Sequence, residues 1–144
     1  MALKDYSSDC ERYQKIITCK DKHNPQTYTA YNKELNEVYK YRVDGYVIED
    51  GERCDYLVWN ETKKSVYFIE LKGSDIPKAV RQIEETEKVL KTRFKKEFEL
   101  VKAFYRVVLN KTCTHGLDNN KVKRFKINHP GQCEFRTASI KEEI

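Results

Sequence analysis

Val66-Tyr67-Phe68-Ile69-Glu70-Leu71-Lys72 is the stretch on which the fold turns. Its β-branched and aromatic residues form a run too short for a helix, and turn-forming residues bound it on both sides. Asn60-Glu61-Thr62-Lys63-Lys64-Ser65 is a polar loop before it, and Gly73 follows it. An apolar run of this kind predicts a central strand that carries two charged residues at its exit.

Downstream, Ser74 or Asp75 can cap a helix, and Pro77 fits a first turn, where a missing N–H removes no helical bond. Ile76, Val80, Ile83, Leu90 and Phe94 recur at helical spacing, so a helix is expected from about Ile76 into the nineties, with this stripe as core. Ala103-Phe104-Tyr105-Arg106-Val107-Val108-Leu109 is a second buried-strand candidate, and strand, helix and strand in succession make a crossover unit. Upstream, Tyr46-Val47-Ile48 and Tyr56-Leu57-Val58-Trp59 flank Glu49-Asp50-Gly51-Glu52, whose Asp-Gly pair signals a tight hairpin turn.

The flanks are harder to read. Tyr13, Ile16 and Ile17 suggest a short helix ending before the turn signal His23-Asn24-Pro25, and Lys33 to Val38 fits either helix or strand. Near the C-terminus an alternating basic strand is expected from Val122 to Ile127, then a turn at His129-Pro130-Gly131 and a last short strand near Phe135. Neither a repeat nor a Pro/Gly/Ser linker interrupts the 144 residues, so a single domain over 1–144 is expected.

Lysine and arginine number 28 against 23 acidic residues, a formal charge of +5 that fits nucleic-acid contact without demanding it. The N-terminus lacks the apolar region of a secretory signal, and nowhere do about 18 apolar residues run together as a membrane span requires. The expectation is a soluble, cytoplasmic protein that makes no membrane contact. Its five cysteines are scattered and odd in number, which points to free thiols in a reducing compartment. Cys113, His115, His129 and Cys133 could gather around zinc, but the chain has no CxxC pair, and plain thiols are the stronger reading.

Glu70 and Lys72 stand two apart, so the period of a strand puts both on the face shared by Val66 and Phe68. A carboxylate and an ammonium at the end of an apolar strand need pairing, hydrogen bonds or a metal. Asp55 lies on the returning arm of the expected hairpin, where an adjacent strand can bring it beside Glu70. Two converging carboxylates suit a hard divalent cation such as Mg²⁺ or Mn²⁺. The bland alternative for the same residues is a cross-strand ion pair on a solvated sheet face, worth about 0–1 kcal/mol. Glu61-Thr62-Lys63 repeats the Glu-x-Lys spacing in a loop, without an apolar run before it, and reads as surface.

Asp55, a loop, then Glu70-Leu71-Lys72 closing a hydrophobic strand before a helix resembles the PD-(D/E)XK nuclease superfamily, over roughly Val43 to Leu109. The resemblance implies an α/β fold with a restriction-endonuclease-like core, a mixed central β-sheet flanked by helices. It further implies Asp55 and Glu70 as metal ligands, Lys72 as the catalytic lysine, and Mg²⁺ or Mn²⁺ as cofactor. Gln82 is similar to a glutamine that RecB-like members place near the active site, although Lys78, Arg81 and Glu85 around it suggest a surface helix position. Members often add an upstream acid from an N-terminal helix, for which Glu37 or Glu34 is the candidate. Cys54 stands where the name-giving proline would be.

The expected activity is metal-dependent hydrolysis of phosphodiester bonds in nucleic acid, DNA ahead of RNA, in repair, recombination or defence. Small resolvases of four-way DNA junctions are similar in size and motif order, and a homodimer would suit double-strand cleavage. Lys78, Arg81, Lys123, Arg124 and Lys126 are the candidate phosphate contacts. The competing expectation is a catalytically inactive nuclease-like domain that binds nucleic acid or a protein partner.

Overall fold

The structure is a computed structural model, and it describes residues 1–51, 53–71, 74–111, 113 and 116–144. In chain order its elements are β1 (Ile16–Lys20), β2 (Thr27–Tyr31), β3 (Val38–Arg42), β4 (Tyr56–Asn60), β5 (Ser65–Glu70), α1 (Ile76–Arg93), α2 (Lys95–Phe98), β6 (Lys102–Leu109), α3 (Asn120–Asn128), β7 (Cys133–Thr137) and β8 (Ser139–Glu143). Strands β3-β4-β5-β6-β7 make a mixed five-stranded sheet with β5 at its centre, and β1-β2-β8 make a separate three-stranded sheet.

The central strand forms where the apolar run predicts it. On one side β5 pairs antiparallel with β4, and on the other it pairs parallel with β6. A parallel neighbour requires a crossover, and α1 supplies it. Asp75 caps α1 by accepting the N–H of Lys78 at 3.0 Å, and Pro77 occupies the first turn. Such a cap is worth about 1 kcal/mol. The stripe of Ile76, Val80, Ile83, Leu90 and Phe94 is fully buried, as expected of core.

Alternation along the strands divides the interior in two. Leu57, Trp59, Val66, Phe68, Tyr105 and Val107 pack against α1, α2 and α3. Val58, Tyr67, Ile69 and Val108 point the other way, onto Ile17, Cys19, Tyr28, Ala30 and Ile140 of the small sheet. The mixed sheet therefore carries helices on one face and a second sheet on the other, where helical flanking alone was expected.

Three local readings are corrected. Ile16 and Ile17 open a strand, because Ile17 and Cys19 are buried two apart while Ile16 is 51% exposed. Tyr46 to Ile48 is not a hairpin arm: β4 pairs with β3, and the Asp50-Gly51 turn lies inside a long connection, with Gly51 at φ +84°. Residues 122 to 127 belong to helix α3, in which Val122 and Phe125 are buried one turn apart and Ile127 is 76% exposed, the opposite of strand alternation. Asn119 caps α3 through the N–H of Lys121 at 2.8 Å. Lys33 to Glu37 is neither helix nor strand, and β3 begins at Val38. The turn after His129 and strand β7 around Phe135 are as expected, whereas β8 was not foreseen.

Candidate active site

Where the sheet changes from antiparallel to parallel pairing, the C-terminal end of β5 meets the start of β4. Open α/β sheets tend to bind ligands at the carboxyl ends of their parallel strands, near such reversals of order. Glu70 is the last residue of β5, and Asp55 immediately precedes β4. Tyr56 pairs with Ile69, so Asp55 comes level with Glu70. Two hydrogen bonds fix this juxtaposition from either side of Glu70: Asp55 N–H donates to the Ile69 carbonyl at 3.1 Å, and Leu71 N–H donates to Asp55 Oδ2 at 2.8 Å.

Glu70 shares the parity of Val66 and Phe68 and is 0% exposed. A cross-strand pair on a solvated face is therefore the wrong picture for it. In so enclosed a place water screens the carboxylate weakly, and its charge acts strongly on any cation brought alongside. Cys54, which precedes Asp55, is also fully buried. Burial and then the neighbouring Glu70 carboxylate push its thiol well above the ordinary range. It is an inert packing group, unlike a reactive cysteine.

Helix α1 holds the segment that carries Asp55. Gln82 Nε2 donates to the Arg53 carbonyl at 3.3 Å, and one turn on, Thr86 Oγ1 accepts the Cys54 N–H at 2.9 Å while donating to the Gln82 carbonyl at 2.7 Å. Gln82 is 7% exposed, so its charged sequence neighbours mislead about its position. Its Oε1 is buried and accepts no hydrogen bond among the described residues.

The other candidate residues fall elsewhere. Lys72 lies outside the described residues, as does His115 of the weighed zinc set. Glu37 is not brought to the pair: it precedes Val38, which is opposite Asn60 at the far end of β4, about 15 Å from the Asp55 end at the usual strand rise. There it accepts the Tyr39 hydroxyl, whose pKa burial and Glu37 together push up to about 12. Glu34 pairs with Lys63 at 3.4 Å on the surface. Among the described residues, no group of three or more His, Cys, Asp and Glu side chains is arranged to hold a metal ion.

The basic candidates sit on the helical layer. Lys78 and Arg81 are on α1; Lys123, Arg124 and Lys126 are on the solvent side of α3, where Lys126 Nζ lies 4.9 Å above the Phe135 ring. The cleft that Asp55 borders is lined differently, by residues that sequence reasoning did not single out. It has a volume of about 630 Å³, and its walls come from the end of β1, the turn after it, and the start of the connection after β3. Lys20, Lys22, His23, Arg42, Tyr46 and Tyr56 line it. No sequence signal brings these together, because the β1 end reaches the β4 start only through tertiary packing, with Tyr56 Oη donating to the Lys20 carbonyl at 2.7 Å.

As to membranes, no helix among the described residues is long and apolar enough to cross one. No protein-family model matches the chain, and neither does any curated protein or solved structure.

Proposed function

We propose that this chain is a metal-dependent nuclease of the PD-(D/E)XK kind, with a restriction-endonuclease-like core, that hydrolyses phosphodiester bonds in nucleic acid, DNA foremost. The observation that carries the reading is the juxtaposition of Asp55 and Glu70 at adjoining ends of β4 and the central strand, tied by the Leu71 N–H to Asp55 Oδ2 bond of 2.8 Å. Mg²⁺ keeps several waters and is commonly held by only one or two carboxylates with substrate phosphate completing the shell, so a two-carboxylate donor set fits it. Bound there, Mg²⁺ or Mn²⁺ would supply Lewis acidity toward the phosphodiester and a more acidic water. In this reading Asp55 and Glu70 hold the cation, the backbone bonds to Ile69 and Leu71 keep Asp55 aimed, and Gln82 with Thr86 keeps its segment from shifting. Lys72, two residues beyond Glu70, would orient the water or offset charge developing on the phosphate.

The test is incubation of the purified chain with labelled single-stranded, duplex and branched DNA and with RNA, in Mg²⁺, Mn²⁺ or EDTA, beside Asp55→Asn and Glu70→Gln. Metal-dependent cutting lost in both variants supports the proposal. Cutting of no substrate in either metal, with nucleic acid still bound equally by wild type and variants, transfers the assignment to an inactive binding domain.

A further inference from the structure

The cleft beside Asp55 has features that a simple phosphate track does not need. Tyr46 lines it 58% exposed, with Tyr13 one of the two aromatic rings more than half exposed among the described residues. It is held in place from one side: the Arg42 guanidinium carbon lies 4.4 Å from the ring centroid, and Arg42 Nη1 donates to Tyr46 Oη at 3.1 Å. The guanidinium thus favours this placement of the exposed ring before any ligand arrives. Lys20 and Lys22, from the end of β1 and the turn after it, add cations to the lining, and Tyr56 adds its ring beside Asp55, with Lys40 Nζ 5.3 Å from the ring centroid.

Lysines and an arginine around an exposed aromatic, in a cleft bordered by Asp55, match the chemistry of an unpaired nucleotide. Its phosphates need Lys and Arg, and its base, with no partner strand, needs a ring to stack on. A base in a duplex offers no free face to such a plate. Asp21, Asp44 and Asp55 also line the cleft and match the charge of Lys20, Lys22 and Arg42, so phosphate would be recognised there by the placement of these three cations and not by net charge. Asp21 receives the His23 N–H and the Asn24 side-chain amide at 3.0 Å each within its own turn, and Asp55 receives the Leu71 N–H. Asp44 adjoins Gly45 at the base of the bend that carries Tyr46.

We infer that this cleft binds single-stranded nucleic acid, with one unpaired base stacked on Tyr46 and the flanking phosphates on Arg42, Lys20 and Lys22. The inference rests on the nuclease reading for what happens at Asp55, but not for binding itself. Substrate enters from the side of the small sheet, and the basic face of α3 is not needed for it. The reacting nucleotide is therefore in a strand end, flap, loop or fully single strand, of DNA or RNA.

The experiment measures binding by fluorescence anisotropy in EDTA, where cutting cannot occur, using labelled single-stranded DNA, single-stranded RNA and a blunt DNA duplex of equal length. Single strands are expected to bind at least about tenfold more tightly than the duplex. Tyr46→Ala should weaken single-strand binding about tenfold, Tyr46→Trp should restore it, and a joint Lys20→Gln and Lys22→Gln change should flatten its salt dependence. The DNA and RNA arms identify which polymer is preferred. Equal binding of duplex and single strand, or binding unchanged by Tyr46→Ala in a chain that still unfolds cooperatively, overturns the inference. Absence of cutting in Mg²⁺ with the stacking pattern intact would overturn the nuclease reading alone.

Discussion

The main-chain N–H of Leu71 points at Asp55 Oδ2 across 2.8 Å, so the carboxylate opposite Glu70 is held by the residue that follows Glu70. Asp55 therefore has a structural task as well as a chemical one. A hydrogen bond to a charged acceptor is worth about 1.5–3 kcal/mol. Asp55→Ala should destabilise the fold by about that amount in urea denaturation, while Asp55→Asn, which keeps a carbonyl acceptor, should lose less than half as much. Both should abolish the heat of Mn²⁺ binding in calorimetry. If Asp55→Asn binds Mn²⁺ like wild type, the carboxylate is structural only.

The grip of α1 on the segment before Asp55 separates stability from alignment. Thr86→Val leaves the Cys54 N–H, buried with its residue, without its acceptor, and stranding a buried donor costs about 1–3 kcal/mol. Thr86→Ser should recover most of that loss. Gln82→Met trades a 3.3 Å bond and a buried oxygen that accepts nothing among the described residues for an apolar side chain of similar length. Its unfolding free energy should stay within about 0.5 kcal/mol of wild type, while single-turnover cutting slows. Denaturant melts and rapid-quench kinetics on the same preparations give both numbers.

How much of this was legible in the chain follows from the range of the contacts. The central strand, the capped crossover helix and β6 are specified by local runs and a cap, and they place Glu70 correctly; strand pairing then brings Asp55 to it. The small sheet was illegible for a physical reason. Its strand β2 pairs with β8, so Tyr28 meets Glu142 across 114 positions of sequence, and no local pattern announces such a partner. In α3, basic residues interspersed with Val122, Phe125 and Ile127 imitate strand alternation, and the discriminating signals were the spacing of three between Val122 and Phe125 and the cap Asn119. The cleft was missed because Lys20 and its turn reach Arg42, Tyr46 and Tyr56 only after the two sheets have stacked.

Stability should fall on the alkaline side. Burial pushes the Cys19 thiol from its ordinary value of 9.0 to about 12, with Lys40 only partly opposing, and burial with Glu142 pushes the Tyr28 phenol well above its own. For both groups the folded pKa lies above the unfolded one, so the fold prefers the proton. Their contribution is complete below the unfolded values of 9.0 for the thiol and 10.0 for the phenol, and is lost progressively as pH rises from these toward the higher folded values. The urea midpoint should be level from pH 7 to 8 and decline progressively above 9. Cys19→Ala should start lower but decline less between pH 9 and 10. A midpoint unchanged up to pH 11 would contradict this ordering.

The two sheets are pinned by Arg106. From β6 its Nε and Nη2 reach Glu142 of β8 at 2.8 and 3.0 Å, and Nη1 donates to the Gln132 carbonyl at 2.8 Å. Tyr28 Oη from β2 donates to the same carboxylate at 2.8 Å. The guanidinium carbon also lies 5.6 and 5.5 Å from the Tyr67 and Phe104 ring centroids. Removing one charge from such a buried pair strands the other, which typically costs about 3–5 kcal/mol, whereas replacing both with apolar groups is often far milder. Glu142→Gln should fall at or below the lower end of that range, because Glu134 remains 3.7 Å from Arg106 as a second carboxylate. The joint change Arg106→Met and Glu142→Leu should destabilise less than the two single changes added together. The coupling energy from a double-mutant cycle in urea measures this directly. A coupling near zero would mean that the sheets are held by Tyr28, Ile69 and their apolar neighbours alone, with the ion pair bystanding.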